Sequence, residues 1–246
     1  MRTFALLALA ALTLVSCKDV DEDIPLRTLN FTQNWDGEPF SQADLATTAF
    51  VNENNDTLDI SRLRYLISKV RLENSKGTVF QLDDYQLVDV SNENSLTVTP
   101  SAYIPNGTYT MTFVYGFDQQ DNIDGAYPDL NSVGWSWPDM LGGGYHFMQM
   151  DGTYDLDAAI PKPYNFHNGT ARVSNGVFEA NHISFSIPEV RVRGRGIIEI
   201  QMNIAEWFRM PYTWVLDDYN TSLMPNYEAQ KLMNENGASV FAVVTE

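Results

Sequence analysis

Residues 105–115 read PNGTYTMTFVY, and this stretch predicts a β-strand that follows a tight turn. Pro105, Asn106 and Gly107 supply the turn. From residue 108 to residue 115, large apolar side chains alternate with mostly small polar ones, which is typical of a strand with one buried face. Further strand-like runs, bounded by Asn, Asp, Gly or Pro, occur at residues 63–72, 144–154, 183–187 and 196–204.

Several short strands separated by turns predict an all-β fold, a β-sandwich of antiparallel strands. Only residues 227–236 carry a convincing helical pattern, with Ala229, Leu232 and Met233 three and four residues apart. Gly237 is well placed to end this short C-terminal helix. Residues 118–138 form the longest stretch without strand signals, and a loop of this length in a compact domain is usually functional or disordered.

The composition excludes several classes of protein. The 246 residues include 15 Lys and Arg against 32 Asp and Glu, a formal net charge of -17, so an acidic surface would repel nucleic acid. The 13 Phe, 12 Tyr and 5 Trp are too many for a disordered chain. The single Cys excludes a disulfide-rich scaffold and a thiolate metal cluster.

The N-terminal residues predict export and lipid anchoring. Residues 4–15 form an apolar run that is too short to span a bilayer and is typical of a signal peptide. The run ends in Leu14-Val15-Ser16-Cys17, which resembles the bacterial lipobox, so Cys17 is expected to be lipidated. Residues 18–23 (KDVDED) resemble an acidic surface-export signal and also suit a solvated tether. We expect an outer-membrane lipoprotein displayed on the cell surface.

These observations divide the chain into three parts. Residues 1–16 are the expected signal peptide, residues 17–25 an acidic tether, and residues 26–246 one β-sandwich domain.

The sequence contains no G-x-S-x-G elbow, no H-E-x-x-H zinc motif and no P-loop. We therefore predict a binding protein rather than an enzyme.

The histidines are the scarcest candidates for chemistry: His146, His167 and His182. A strand period of two would put His146, Met148 and Met150 on one face. Imidazole and thioether together suit copper, although paired methionines are also common in cores. His167 lies in a separate predicted strand, and cross-strand neighbours come within about 5 Å between Cβ atoms. His182 is expected to be a half-exposed strand residue.

Several segments occur in a specific order along the chain: 29–37 (LNFTQNWDG), 63–72 (LRYLISKVRL), 104–109 (IPNGTY), 135–137 (WSW), 143–147 (GGYHF), 150–152 (MDG) and 166–170 (FHNGT). In this order they resemble the copper-binding MbnP-like family of bacterial periplasmic and surface proteins. The resemblance covers residues 27–243 and implies a β-sandwich that binds copper for storage or handover. It also implies a di-haem peroxidase-like partner that can oxidise a tryptophan to kynurenine.

Site residues follow from the resemblance position by position. His146 and His167 are the expected copper ligands. The residues expected around the metal, or as the modified tryptophan, are Gln33, Trp35, Trp135, Trp137 and Met148.

Two positions depart from the family pattern. Gln33 stands where relatives often have His, and Gly134 stands where they often have Met. A structural paralogue that has lost the metal is therefore one alternative. A surface glycan-binding or adhesion module is another, because aromatic side chains that face solvent could stack on sugar rings; those expected to do so are Trp207, Phe208, Tyr212 and Trp214.

Overall fold

The structure is a computed structural model that describes residues 28–194 and 196–245. The predicted signal peptide, Cys17 and the acidic tether lie outside the described residues. No helix within the described ranges is long and apolar enough to cross a membrane.

The described residues form mainly β-strands. The strands are β1 (Thr28–Trp35), β2 (Glu38–Phe40), β3 (Phe50–Val51), β4 (Thr57–Leu58), β5 (Arg62–Asn74), β6 (Val79–Asp89), β7 (Thr97–Val98), β8 (Gly107–Tyr115), β9 (Met148–Tyr154), β10 (Lys162–Asn168), β11 (Ala171–Ser174), β12 (Val177–Glu179), β13 (Ile183–Val192), β14 (Ile197–Asn203) and β15 (Phe241–Thr245). The α-helices are α1 (Pro128–Ser132) and α2 (Tyr227–Gly237), with short 3-10 helices at Gln42–Asp44, Glu93–Ser95, Asp139–Leu141 and Ile204–Phe208.

The strands assemble into two main sheets and a small hairpin. The five-stranded sheet has the order β15-β14-β1-β2, with β7 on β1, and the eight-stranded sheet has the order β13-β8-β5-β9-β4-β3, with β6 on β5 and β10 on β9. Strands β11 and β12 form the hairpin. All pairs are antiparallel except β1 with β14. The predicted all-β sandwich is therefore confirmed, with one parallel pair that the sequence analysis did not anticipate.

Strand β5 organises the eight-stranded sheet because its 13 residues pair with three neighbours. Strand β6 pairs with one edge of β5. The other edge of β5 pairs first with β9, at Arg62–Tyr65, and then with β8, at Ile67–Asn74. Leu63 pairs with Met150 and Tyr65 with Met148, and all four side chains are buried in the main core. The intervening residues of β5 therefore point to the opposite face, here called the outer face.

Residues 116–147, here called the covering segment, connect β8 to β9 and pack on this outer face. Leu66 of β5 and the segment residues Phe117, Leu130, Trp135 and Tyr145 form a second apolar cluster, separate from the main core. Lys69, also from β5, forms ion pairs with Asp118 and Asp121 at the start of the segment. The segment includes the stretch without strand signals, and the structure shows it folded against the sheet.

Helix α2 is confirmed, but Gly237 plays a different part from the one predicted. It is the last helical residue, and Ala238 follows it with ordinary right-handed backbone angles. A Cβ at residue 237 would lie 2.5 Å from Ile183 Cδ1 and 2.7 Å from the Trp207 ring. Glycine is therefore required here by close packing and not by a left-handed cap.

Candidate metal centre

The register of three strands arranges polar side chains in two rows on the outer face. His167 of β10 lies opposite Gln149 of β9, and Gln149 lies opposite Arg64 of β5. In the next row, Asp151 of β9 lies between Asn165 of β10 and Arg62 of β5. His167 is therefore a diagonal neighbour of Asp151, within reach of a side-chain contact.

The covering segment brings His146 to the same face through a glycine turn. Gly142, Gly143 and Gly144 all have positive φ, a conformation that glycine adopts without steric cost. A Cβ at residue 144 would lie 2.3 Å from Asn122 Oδ1. The turn reverses the chain so that Tyr145 bridges to Ser136, and the His146 N–H donates to the Trp135 carbonyl at 2.9 Å.

The two imidazoles meet, as the sequence analysis proposed. The ring centroids of His146 and His167 are 5.4 Å apart, and the ring planes are nearly perpendicular at 84°. The indole of Trp137 lies edge-on to His146 at 4.9 Å, and that of Trp135 lies at 5.5 Å. Both indoles are fully buried, and only 6% of His146 is exposed. The structure thus brings four of the predicted residues into one cluster.

Met148 is not part of this cluster. Its side chain lies in the main core with Met150, on the face opposite His167. The expected alternation that grouped His146 with the two methionines is wrong, because the regular strand begins only at Met148. The chain bends at Phe147, whose ring packs in the main core, and this bend turns His146 to the outer face.

Helix α2 fixes the backbone beside His167 through one buried amide. Gln230 Nε2 donates to the His167 carbonyl at 2.8 Å, and Gln230 Oε1 accepts from the Gly169 N–H at 3.1 Å. Asn168 Nδ2 also donates to this oxygen at 3.2 Å. Gly169 is needed because a Cβ there would lie 2.6 Å from the Trp137 ring. Gly169, two residues after His167, therefore leaves room for the Trp137 indole, which contacts His146.

Electrostatic effects keep His146 neutral and Asp151 ionised. Burial lowers the pKa of His146 to about 3, and the nearby guanidinium groups of Arg64 and Arg62 act in the same direction. Burial alone would raise the pKa of Asp151, but hydrogen bonds from His167 and Asn165 outweigh it and hold that pKa at about 2. A neutral imidazole has a free nitrogen lone pair, which is the form that binds metals.

Two buried polar atoms at the centre lack partners among the described residues: His146 Nδ1 and Trp135 Nε1. Buried nitrogens are rarely left unpaired, so such atoms are candidates for contact with a bound species. The guanidinium of Arg64 lies 5.0 Å from the Trp135 ring centroid. The Trp135 indole thus contacts both a cation and an imidazole.

The donor set fits an ion that accepts few ligands. Metal–nitrogen bonds of about 2 Å place two coordinating nitrogens about 4 Å apart or less, which is compatible with rings whose centroids are 5.4 Å apart. Within the described ranges, no group of three His, Cys, Asp or Glu side chains could hold a metal. The nearest carboxylate, Asp151, is already hydrogen-bonded to His167 Nε2 at 2.8 Å. Two imidazoles are therefore the main protein donors.

Gln33 and Trp35 lie elsewhere. Gln33 is buried between the sheets, where its Nε2 donates to the Tyr65 hydroxyl at 2.8 Å. Trp35 stacks on Phe50 with a centroid separation of 4.7 Å. Of the two residues that depart from the family pattern, Gln33 is therefore on the inner face, away from the imidazole pair.

The aromatic residues expected on the surface are mostly internal. Trp207, Phe208 and Trp214 are fully buried in the main core, and only Tyr212 is exposed. The prediction of solvent exposure is right for Tyr212 and wrong for the other three. The 3-10 helix Ile204–Phe208 packs Trp207 and Phe208 inward, and Trp214 packs on Phe166 with a centroid separation of 4.5 Å. The glycan-binding alternative depended on exposed aromatic rings at these four positions, and three of the four are buried.

Comparison with known proteins identifies the family. Residues 25–227 match the MbnP family. The chain belongs to the MbnP family. The resemblance found in the sequence is therefore confirmed. The structure is similar to that of MbnP from Methylosinus trichosporium, with a TM-score of 0.57 and 13% identity, over 89% of this chain and 98% of that one. A search of curated proteins gives no match.

The residues that support His167 in this MbnP-family protein were not predicted from the sequence. Asp151, Asn165 and Gln230 contact His167 or its neighbours, but each is an ordinary residue of a strand or helix. Asp151 and Asn165 could be found only from the register of β9 and β10. Gln230 could be found only from how α2 docks, because its polar side chain gives no sign of complete burial in the sequence.

Proposed function

We propose that this protein binds copper through His146 and His167 and serves to store the metal or hand it over in the cell envelope. The observation that carries the proposal is the imidazole pair on the outer face of the eight-stranded sheet, with ring centroids 5.4 Å apart. Membership of the MbnP family supports it. The departure at Gln33 does not count against it, because that side chain is on the other face of the sheet.

The donors favour copper over other biological metals. Calcium and magnesium require six or more oxygen ligands, whereas this centre offers nitrogens. Structural zinc requires four ligands and catalytic zinc three from the protein, whereas the described residues supply two imidazoles. Imidazole nitrogen suits copper, and cuprous ions accept low coordination numbers. The indoles of Trp135 and Trp137 would shield such an ion from water.

The wider role follows from the sequence and the family resemblance. A lipid on Cys17 would hold the protein at the outer membrane, with residues 17–25 as a tether and the copper-binding domain exposed on the surface. The net charge of -17 would attract copper cations, although only the ligand atoms would select copper. A di-haem peroxidase-like partner would act on Trp135 or Trp137, the two indoles that contact His146.

The proposal is tested by titrating the purified protein with Cu(I) and Cu(II), with Zn(II) and Ca(II) as comparison ions. We expect one copper per chain and little binding of the other metals. X-ray absorption at the copper edge should show nitrogen ligands and no sulfur, because Met148 and Met150 lie in the core. Absence of copper binding, or a copper–sulfur bond, would contradict the proposed centre.

A further inference from the structure

The two histidines are held in different ways. His167 Nε2 lies 2.8 Å from Asp151 Oδ1, so one of its ring nitrogens is engaged by a carboxylate. His146 has no such contact among the described residues; its ring lies against two indoles, and its Nδ1 is buried without a partner. The centre therefore combines one imidazole fixed by a hydrogen bond with one held by aromatic packing.

Asp151 is itself held from both sides. Asn165 Nδ2 donates to Asp151 Oδ1 at 2.7 Å, and Arg62 forms an ion pair with Oδ2. Both partners lie directly opposite Asp151 on the neighbouring strands. The Asp151 backbone carbonyl also accepts from the Ser61 N–H at 2.8 Å. The Asp151 carboxylate cannot turn toward a metal without losing its contacts with Asn165 and Arg62.

We infer that Asp151 is the positioning residue of the centre and that it makes Nδ1 of His167 the metal-binding nitrogen; this inference rests on the proposed copper function. A carboxylate accepts hydrogen bonds, so Nε2 of His167 carries the hydrogen and the lone pair remains on Nδ1. Carboxylates that accept from a ligating histidine fix its orientation and increase its basicity. Asp151 thus acts on the metal only through His167.

The inference predicts graded effects at residue 151. Asp151→Ala removes the acceptor and should weaken copper binding by about 10- to 100-fold, the usual loss for such partners. Asp151→Asn keeps an acceptor oxygen and should retain affinity within about tenfold of the unaltered protein. In a protein that already carries His167→Ala, adding Asp151→Ala should cause no further loss of affinity, because the path through His167 is gone.

A matched control separates positioning from folding. The Asp59 carboxylate also supports β9, accepting from the Thr153 N–H at 2.9 Å and the Thr153 hydroxyl at 2.7 Å. Asp59→Ala should lower the melting temperature and leave copper affinity unchanged. If Asp151→Ala lowers stability to a similar extent without changing affinity, Asp151 is only structural and the inference fails.

Nitrogen-15 NMR of the full chain identifies which ring nitrogen of His167 binds the metal. In the metal-free protein, the His167 ring should show a hydrogen on Nε2, and addition of Cu(I) should shift Nδ1. Asp151→Ala should broaden or redistribute these signals, and Asp151→Asn should restore them. A shift of Nε2 on metal binding would overturn the inference while leaving copper binding intact. A protein that binds no copper would overturn the proposed function, and the inference with it.

Discussion

On the inner face of strands β9 and β10, Met150 and Phe166 are fully buried among apolar side chains of the main core. On the outer face of the same strands, Asp151 and His167 contact each other, and the covering segment places His146 against His167. The inner face is closed by another sheet, whereas the outer face brings His146, whose Nδ1 has no partner among the described residues, against a second imidazole. We therefore expect substitutions on the inner face to change stability and substitutions on the outer face to change copper binding.

The largest expected effect is on the outer face. His146→Ala or His167→Ala should each reduce copper affinity by more than about a hundredfold, because losing a direct ligand costs more than losing its supporting partner. His182→Ala is the matched control: it removes the third histidine, which lies outside the centre. Copper titration with a competing chelator measures all three variants. Equal copper affinity of His167→Ala and the unaltered protein would contradict the assignment of His167 as a ligand.

The inner face should respond in stability instead. Met148→Ala should lower the free energy of unfolding by about 2–5 kcal/mol, because it leaves a cavity in a fully buried site. Copper affinity of the folded protein should stay the same. Denaturant unfolding gives the first quantity and titration the second. A loss of copper affinity in a fully folded Met148→Ala protein would show that the two faces are coupled.

A substitution at Gly169 should affect both stability and copper binding. An alanine there would meet the Trp137 ring at 2.6 Å, so Gly169→Ala should cost about 1–3 kcal/mol of stability and weaken copper binding moderately. Trp137→Leu should relieve the clash, and the cost of Gly169→Ala should be smaller in that background. Additive costs in the double variant would mean that the indole does not set the requirement for glycine.

The smallest expected effect is at Gln33. Gln33→His restores the residue that relatives often carry, but the side chain points between the sheets toward Tyr65. We expect copper affinity and stoichiometry to stay unchanged and stability to fall by about 1 kcal/mol through the altered hydrogen bond. Binding of a second copper ion by this variant would show that the inner face also forms a metal site.

Local patterns were enough to predict the fold class, several strands and helix α2. The alternation in residues 108–115 corresponds to β8, and the run at residues 63–72 lies within β5. Helix α2 follows the spacing of Ala229 and Met233, which are both buried. The parallel pairing of β1 with β14 was not predictable, because it joins strands more than 150 residues apart without a local signal.

The site was only partly predictable. Scarcity singled out His146 and His167, but period-two alternation grouped His146 with Met148 on the wrong face. The error arises because alternation applies to regular strand, whereas residue 146 precedes β9 and follows a turn of three glycines. Contacts made by Gln230 depend on packing between distant segments, and a single sequence carries no record of them.

The Gln230 contact has a consequence for the order of events during synthesis. The amide that secures the His167 carbonyl is 63 residues further along the chain. A nascent chain that has only just produced both histidines therefore lacks the helix that fixes one of them. On the proposed function, copper capture at His167 would therefore wait until helix α2 has been synthesised and has docked against β10.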